Sequence, residues 1–296
     1  MAITSVAGLI SGLQPPIPLS TLNLSVLNVA AGLGYSSWGA GSIYAPSGGT
    51  YPGTLAGSSL SGGPAFANNV TGQLPWQDPP SGNAYLARLE VIFDRSGSNP
   101  VGGAHFLLDR LWHNGTISAS SSSVQTIGSP TWPSRDVNGA TTGVGVLLGL
   151  EVTTAVPSTA SFSVSVSYTN AAGASGLSAV NINSLSSISG GLGVGTFIPL
   201  GLNAGDTGVG SVQSITISNP AASGVMSLVA YRPVALATIE NTLAGMRPAV
   251  IDGVTAGLPR MFAGSVPFLV FGVSSSAPYG STNVAGWNGQ IQYAFG

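Results

Sequence analysis

Short segments in which apolar and polar residues alternate recur along most of this chain. In 161–170, SFSVSVSYTN, apolar side chains occupy every second position and serines fill most of the positions between them. A period of two places the apolar set on the core side of a β-strand and the polar set on the other side. The residues predicted to point inward are Phe162, Val164, Val166 and Tyr168.

The segment 85–94, YLARLEVIFD, has the same period but a charged outer face. Arg88, Glu90 and Asp94 share one parity, which is typical of a strand with one face in solvent. The opposite parity predicts that this strand buries Tyr85, Leu89, Val91 and Phe93.

Further segments have the composition of short strands, and Gly, Asn and Pro clusters such as NAAGASG and NAGDTG separate them. These segments are 144–153, 195–202, 211–218, 224–232, 266–273 and 289–295. Many short strands joined by Gly-rich turns indicate an all-β fold. We expect an antiparallel β-sandwich or jelly roll with an extended N-terminal arm and little helix.

Helix is predicted at three places. Residues 4–13, TSVAGLISGL, have a short amphipathic pattern with Thr4 as the N-cap, and QPPIPLS at 14–20 ends it. The other two segments are 104–113 and 236–246, in which apolar residues recur at helical spacing.

Changes of composition suggest three parts. Residues 1–80 are rich in Gly, Ser, Pro and isolated aromatic residues, which predicts an extended arm that becomes ordered against a surface. Residues 81–235 hold most of the predicted strands and form a β-sandwich domain. Residues 236–296 form a C-terminal β segment that packs on the sandwich or on a neighbouring subunit.

Charged residues make up only 5 % of the chain, against roughly 25 % in an ordinary soluble domain. There are seven arginines, no lysine and nine acidic residues, and without a basic run the chain lacks the footprint of a nucleic-acid binder. The apolar runs are far shorter than the ~20 residues of a transmembrane helix, and MAITSVAG lacks the positive start of a secretory signal. We expect a leaderless, soluble protein whose neutral surface is covered by other subunits.

Both histidines lie in HFLLDRLWHNG at 105–115. His105, Asp109 and His113 are four residues apart, so a helix would bring them to one face, where two imidazoles and a carboxylate could bind zinc. A strand would also give them a common face, but ~13 Å would separate each from the next, too far for one ion. We favour the alternative, in which Asp109 and Arg110 are hydrogen-bonded anchors beside two ordinary histidines.

The catalytic motifs of common enzymes are absent or incomplete. No G-x-S-x-G stands between a strand and a helix, and the absence of cysteine excludes thiol catalysis. Paired carboxylates for glycoside hydrolysis could come from Glu90, Asp94, Asp109 and Glu151, but arginines flank the first two and favour ion pairs. GVGVLLG at 143–149 has its third glycine one position too late for a dinucleotide loop. The prediction is a protein without enzymatic activity, catalytic residues, metal or cofactor.

Several blocks of the sequence resemble blocks found in virion structural proteins of tailed bacteriophages. In chain order they are LLDRLWHNGTIS, SPTWPSRDVNGATTGVGVLLGLEV, SYTNAAGASG, IPLGLNAGDTGVGSVQSITIS, LVAYRPVA and GLPRMFAGSVPFLVF, and they span most of residues 80–275. The resemblance implies a structural role in a particle, above all as a capsid decoration (cement) or head-associated protein. It brings no enzymatic site with it.

The expected function is therefore that of a homo-oligomeric protein of the virion, associated with the capsid. Its expected partners are the major capsid protein, other virion proteins and copies of itself, because subunit interfaces are depleted in charge and enriched in aromatic anchors. The predicted contact residues are Trp38, Tyr44, Trp76, Arg95, Arg110 and Trp112. Two other functions stay open: a tail or baseplate component that binds host glycans, and a hydrolase that uses His105, Asp109 and His113.

Overall fold

The computed structural model describes residues 3, 5–19, 22–23, 41–43, 65, 73–94, 101–157, 162–181, 191–242, 247–253, 256–273 and 286–296. Its helix and strands are α1 (Val6–Gly12), β1 (Ile17–Pro18), β2 (Leu22–Asn23), β3 (Gly41–Ile43), β4 (Ala84–Asp94), β5 (Val101–His113), β6 (Ile117–Ser118), β7 (Gln125–Thr126), β8 (Leu147–Thr154), β9 (Ser163–Asn170), β10 (Leu177–Asn181), β11 (Thr196–Gly201), β12 (Val209–Ser218), β13 (Val225–Thr242), β14 (Arg247–Asp252), β15 (Arg260–Met261), β16 (Pro267–Val273) and β17 (Gly286–Phe295). The strands form antiparallel sheets, and the predicted all-β class is confirmed.

Two of the predicted helices are strands. Residues 104–113 belong to β5, and residues 236–242 of the predicted helix 236–246 belong to β13, while 243–246 lie outside the described residues. These strands pair with each other along almost their whole length, and β5 pairs with β16 on its other edge. Hydrogen bonds from two neighbouring strands satisfy the backbone of β5, so tertiary pairing outweighs the helical spacing of its apolar residues.

The predicted strand at 85–94 is present as β4, but near its N-terminal end the side chain that faces the core is not the predicted one. Leu89 and Val91 are fully buried as expected, but Leu86 is buried in place of Tyr85, which is half-buried. The side chain of Phe93 lies outside the described part of the structure. The pairing of β4 with β17 skips one residue between 86 and 88. Such a β-bulge reverses which parity faces the core, because side chains alternate along a strand.

The smaller sheet contains β1, β17, β4 and β14 in that order, with β15 beside β4 and β2 beside β17. One of its faces packs against β5 and β16 of the larger sheet, as in a β-sandwich. The core between the sheets includes Leu89 and Ile291 from the smaller sheet and Leu107 and Leu269 from the larger one. We refer to it as the first core.

The larger sheet runs in the order β3-β16-β5-β13-β8-β11-β10-β9-β12-β7, with β6 beside β13. Because β3 pairs with both β16 and β11, the strands from β3 to β11 in this order close into a barrel within the described residues. A closed barrel has no free edges in its wall. Side chains of one parity therefore point into the barrel, and those of the other parity point to the cores outside it.

The barrel interior is filled mainly by aromatic and branched aliphatic side chains. They are Leu108, Phe197, Val229, Tyr231, Phe268 and Val270. Alternate residues of the same strands, such as Leu150 and Leu228, point outward into a second core shared with β9, β10 and β12. The predicted inward side chains of β9 are all buried in this second core, which confirms that prediction. The barrel wall thus separates the first core from the second.

The described N-terminal residues pair with strands of the same chain. α1 begins after Ser5, whose Oγ accepts the Gly8 N–H at 3.0 Å, so the N-cap is Ser5 rather than the predicted Thr4. β1 and β2 pair with β17, and β3 lies in the barrel wall. No described helix is long and apolar enough to cross a membrane. At the other end, the domain boundary suggested at 235/236 falls inside β13.

A glycine in the barrel wall makes room for an aromatic ring and leads to a testable prediction. A Cβ added to Gly149 would overlap the Phe197 ring, with three ring carbons at 3.0 Å or less. That ring cannot easily move, because it packs edge-on against Tyr231 and Phe268 at centroid distances of 5.4 and 6.0 Å. We expect Gly149→Ala to lower the free energy of unfolding by about 1–3 kcal/mol, the usual cost of overpacking a core, as measured by urea denaturation.

Gly128 provides the matched control for this substitution. A Cβ at Gly128 would meet no atom within 4 Å, and its φ is not positive. Gly128→Ala should therefore change the free energy of unfolding by no more than about 0.5 kcal/mol. Adding Phe197→Leu to Gly149→Ala should recover part of the loss. Equal effects of the two alanine substitutions would contradict the proposed overlap.

Candidate functional site

Several charged side chains lie in the interior of the molecule. Within the described residues, at least six of the sixteen charged side chains of the chain are buried. They are Asp109, Arg110, Arg135, Asp136, Glu151 and Arg232. Charged groups are almost never fully buried unless they are paired, so the partners of these six define the candidate site.

Arg110 and Glu151 form an ion pair inside the barrel. Arg110 Nη2 donates to Glu151 Oε2 at 2.7 Å, and both side chains are inaccessible to solvent. The Arg110 guanidinium also lies over the Phe268 ring, 4.6 Å from its centroid, and its Nη1 is 3.0 Å from His113 Nδ1. Because no solvent reaches this pair, only its own contacts offset the loss of hydration.

Asp109 lies on the opposite side of the barrel wall. Its Oδ1 accepts the backbone N–H of Val266 at 2.8 Å, and its Oδ2 accepts the hydroxyl of Ser265 at 3.1 Å. Arg232 Nη2 and Arg135 Nε lie 3.5 and 3.8 Å from the same Oδ2. One carboxylate therefore connects β5, β13, the loop that contains Arg135 and the segment that leads into β16.

The two arginines beside Asp109 are held in largely dry surroundings. Burial lowers the pKa of Arg135 and of Arg232, and the charge of Asp109 opposes this effect at both. Arg135 Nη2 donates to the main-chain oxygen of Arg110 at 3.1 Å, and Arg232 lies over the Phe262 ring at 5.0 Å. The predicted Asp–Arg anchor is present, but the arginines that pair with Asp109 come from β13 and a distant loop rather than from position 110.

The structure separates the three residues considered for a metal site. The register of β5 against β13 shifts between Arg110 and Trp112, which leaves one extra residue on β5. This bulge reverses the parity, so His113 lies beside Arg110 inside the barrel while Asp109 faces away. The expectation that a strand would give the three a common face is therefore wrong. No group of three or more metal-ligating side chains occurs among the described residues.

The carboxylates considered for glycoside hydrolysis do not form a pair across a cleft. Asp109 and Glu151 bond on opposite sides of the barrel wall. Glu90, on β4, pairs with Arg88 at 2.9 Å, as the flanking arginine suggested. The side chain of Asp94 lies outside the described part of the structure.

Trp76, one of the six predicted contact residues, belongs to the first core. Its ring packs edge-on against Tyr293 at a centroid distance of 4.7 Å, and its Nε1–H donates to Asp78 Oδ1 at 2.7 Å. The ring is buried and has little surface to offer to a partner or to a stacked sugar.

Two further predicted contact residues are part of the interior. Arg110 and Trp112 are fully buried, and a side chain without exposed surface cannot reach a partner. Their predicted interface role is therefore corrected to a role within the chain's own interior. The remaining three, Trp38, Tyr44 and Arg95, lie outside the described residues.

Asp136 organises the loop that it belongs to. Its Oδ1 accepts the N–H groups of Asn138 and Ala140 at 2.9 and 2.8 Å, and its Oδ2 accepts the Thr142 hydroxyl at 2.7 Å and the Gly143 N–H at 3.2 Å. Burial acts to raise the pKa of Asp136, but these hydrogen bonds outweigh it and hold the pKa below its ordinary value. The Asp136 carboxylate therefore makes these hydrogen bonds within its own loop.

A cleft of about 420 Å³ opens between this loop and the start of β4. Its lining includes Asn83, Arg135, Asn138, Arg260 and Phe262. Sequence reasoning missed this cleft because its walls come from separate parts of the chain. The one hint of this cleft in the sequence was the arginine within the block GLPRMFAG.

His105 leads to a prediction about pH. Burial lowers the pKa of His105 from 6.5 to about 3. Between these values the unfolded chain binds a proton that the folded chain does not, so stability must fall as the pH falls. We expect this histidine to contribute a loss of about 2 kcal/mol between pH 7 and pH 5, measured by urea denaturation at both pH values.

His105→Gln isolates this contribution. The variant keeps His113 and every carboxylate, so the difference between its pH dependence and that of the wild type reports on the imidazole at 105. The variant should lose about 2 kcal/mol less than the wild type between pH 7 and pH 5. An unchanged pH dependence would show that His105 titrates normally in the folded protein.

No family model matches this chain, and a search of curated proteins finds no significant match. The similar solved structures include those of the Gt and Gx strains of infectious bursal disease virus and the crystal structure of the VP2 subviral particle of that virus. Each is 11 % identical to this chain, with coverage of 96 % of this chain and 82 %, 81 % and 82 % of the other chains. The TM-scores are 0.17, 0.19 and 0.18, and similarity at this level carries no argument about fold or function.

Proposed function

We propose that this chain is a non-enzymatic structural protein of a tailed-phage virion, in the first place a capsid decoration (cement) or head-associated protein. The observation that carries the proposal is how the charged side chains are divided between the interior and the surface. At least six of its sixteen charges are buried in ion pairs and loop contacts, which leaves the described surface poor in the charges that keep free proteins apart.

Apolar side chains on the described surface support the same proposal. Val6, Ile10 and Leu13 recur at helical spacing on α1 and its C-terminal flank, and all three are exposed. On the larger sheet, Phe106 and Leu236 are direct neighbours on β5 and β13 and are also exposed. Single exposed apolar residues are ordinary, but grouped ones on a nearly neutral surface favour contact with another subunit.

The proposed mechanism is mechanical. Burial of apolar surface contributes about 25 cal/mol per Å², so contacts of a few hundred Å² per copy, repeated over a shell, would stabilise the shell considerably. The barrel and its buried ion pairs would serve as the rigid body that presents these contacts. The sequence blocks that resemble tailed-phage virion proteins support the choice of particle.

The direct test is quantitative mass spectrometry of purified particles from the virus that encodes the chain. A decoration protein should be present in hundreds of copies, in fixed ratio to the major shell protein. A handful of copies would instead support the neck, tail or baseplate alternative. Absence from the particles, together with a chain that stays monomeric in sedimentation velocity at all concentrations, would contradict the proposal.

A further inference from the structure

Two arginines line the cleft beside the Asp136 loop, and no acidic residue does. Arg135 is almost fully buried there, and Arg260 is exposed at the cleft. The chain has seven arginines in all, so two in one cleft is a marked concentration of positive charge. Its volume of about 420 Å³ falls within the range of roughly 300–1,000 Å³ typical of ligand sites.

Three carboxylates interact with Arg135 or with Arg232, which shares Asp109 with it, but each is already engaged. Asp136 accepts four hydrogen bonds from its own loop. Asp78 accepts two hydrogen bonds through Oδ1, both at 2.7 Å. Asp109 is shared between two buried arginines. None of the three lines the cleft, so the charges closest to a bound ligand would be positive.

Arg260 is held in place by neutral groups. Its Nη2 donates to Asn83 Oδ1 at 2.8 Å, and its guanidinium lies 4.7 Å from the centroid of the Phe262 ring. Among the described residues, no carboxylate forms an ion pair with Arg260. A guanidinium has five N–H donors in a planar fork, so donors remain for a ligand after the bond to Asn83 is made.

We propose that this cleft binds a small organic anion through its carboxylate or phosphate group. The oxyanion would be held by Arg260, with the positive charge of Arg135 behind it and the amide of Asn138 within the same lining. Pro79, Pro133 and Ala263, which are half-buried or exposed, supply an apolar wall for the body of the ligand. Guanidinium groups bind both carboxylates and phosphates in bidentate fashion, so the two anions share this chemistry. The inference does not depend on the proposed role in a virion.

Isothermal titration calorimetry on the full chain tests the proposal with three probes: N-acetylglutamate, inorganic phosphate and N-acetylglutaminamide, which carries no charge. We expect saturable binding of at least one of the two anions, with a Kd below ~10 mM that rises with added salt, and no binding of N-acetylglutaminamide. Binding of only one anion identifies whether the natural ligand carries a carboxylate or a phosphate.

Two charge-removing variants connect the binding to the cleft. Arg260→Gln should weaken anion binding by at least about tenfold, because a charge-assisted pair is lost. Arg88→Gln is the matched control, since Arg88 is an exposed arginine on the neighbouring strand β4 and pairs with Glu90. It should leave binding unchanged. If Arg260→Gln does not fold, Arg260→Lys replaces it, because lysine keeps the positive charge but lacks the planar set of guanidinium donors. Arg260→Lys should bind the anion more weakly than the wild type.

The proposal is overturned by any of three results. The first is no saturable binding of either anion below ~10 mM. The second is equal binding of N-acetylglutamate and N-acetylglutaminamide. The third is an equal loss of affinity in Arg260→Gln and Arg88→Gln, which would assign the effect to the net charge of the protein.

Discussion

Glu151→Gln is expected to lower the free energy of unfolding by about 3–5 kcal/mol, because it leaves a buried guanidinium without its counter-charge. Arg110 donates to Glu151 Oε2 at 2.7 Å inside the barrel, where neither side chain reaches solvent. Glutamine has nearly the same shape, so the loss would report on charge rather than on packing. The measurement is urea denaturation at pH 7, followed by both fluorescence and circular dichroism.

Glu90→Gln is the matched control. Glu90 pairs with Arg88 at 2.9 Å, a similar distance, but the Arg88 side chain is 44 % exposed. Surface ion pairs contribute between 0 and about 1 kcal/mol, so the control should lose no more than that. Similar losses in the two variants would show that the barrel does not isolate its ion pair from solvent.

A double variant separates the cost of an unpaired charge from the value of the pair. Arg110→Met combined with Glu151→Leu removes both charges and keeps an apolar volume beside Phe268. Replacement of a buried ion pair by apolar residues is often neutral or stabilising, so we expect the double variant to lie within about 1.5 kcal/mol of the wild type. A loss as large as that of Glu151→Gln would mean that the pair itself, with its contact to His113, stabilises the barrel.

Asp109→Asn is expected to have an effect of similar size, about 3–5 kcal/mol, on the opposite side of the barrel wall. The substitution removes the carboxylate that lies 3.5 Å from Arg232 and 3.8 Å from Arg135. Two buried guanidinium groups would then face a neutral amide. Urea denaturation gives the magnitude, and hydrogen exchange should show the largest loss of protection in β5 and in the segment that leads into β16.

Asp78→Asn is the control for Asp109→Asn. Asp78 is exposed and accepts both of its hydrogen bonds through one oxygen, an arrangement that the carbonyl oxygen of asparagine can reproduce. Its loss should stay near or below about 1 kcal/mol. If the two asparagine variants are equally stable, Asp109 does not compensate the buried arginines.

The strands themselves could largely be predicted from local pattern. In β9 the alternation of apolar residues and serines placed each side chain on its correct face, because neither β12 nor β10 forces a change of parity within the apolar run 162–168. Gly- and Asn-rich turns marked the ends of the strands, since such residues are favoured where the chain reverses. These are interactions between near neighbours, and they are therefore visible in the sequence.

The positions of β-bulges and the pairing partners of the strands could not be predicted from local sequence pattern. One extra residue between Arg110 and Trp112 places His113 on the other side of the wall from Asp109, so the three residues do not even share the common face expected of a strand. Residues 104–113 and 236–242 have helical spacing but form strands, because each finds its hydrogen bonds in a partner more than a hundred positions away. No rule based on neighbours along the chain contains that information.

The sequence alone determined that this chain would be all-β and almost without charge, and it predicted that its few ionic groups act as anchors. Only the tertiary structure decided which groups pair: Asp109 bonds not with the adjacent Arg110 but with Arg232, 123 positions away, while Arg110 pairs with Glu151. The physical reason is that consecutive residues of a strand point to opposite faces. An acid and a base that are adjacent in a strand are thus directed apart, and each is paired by whatever the fold brings to its own side.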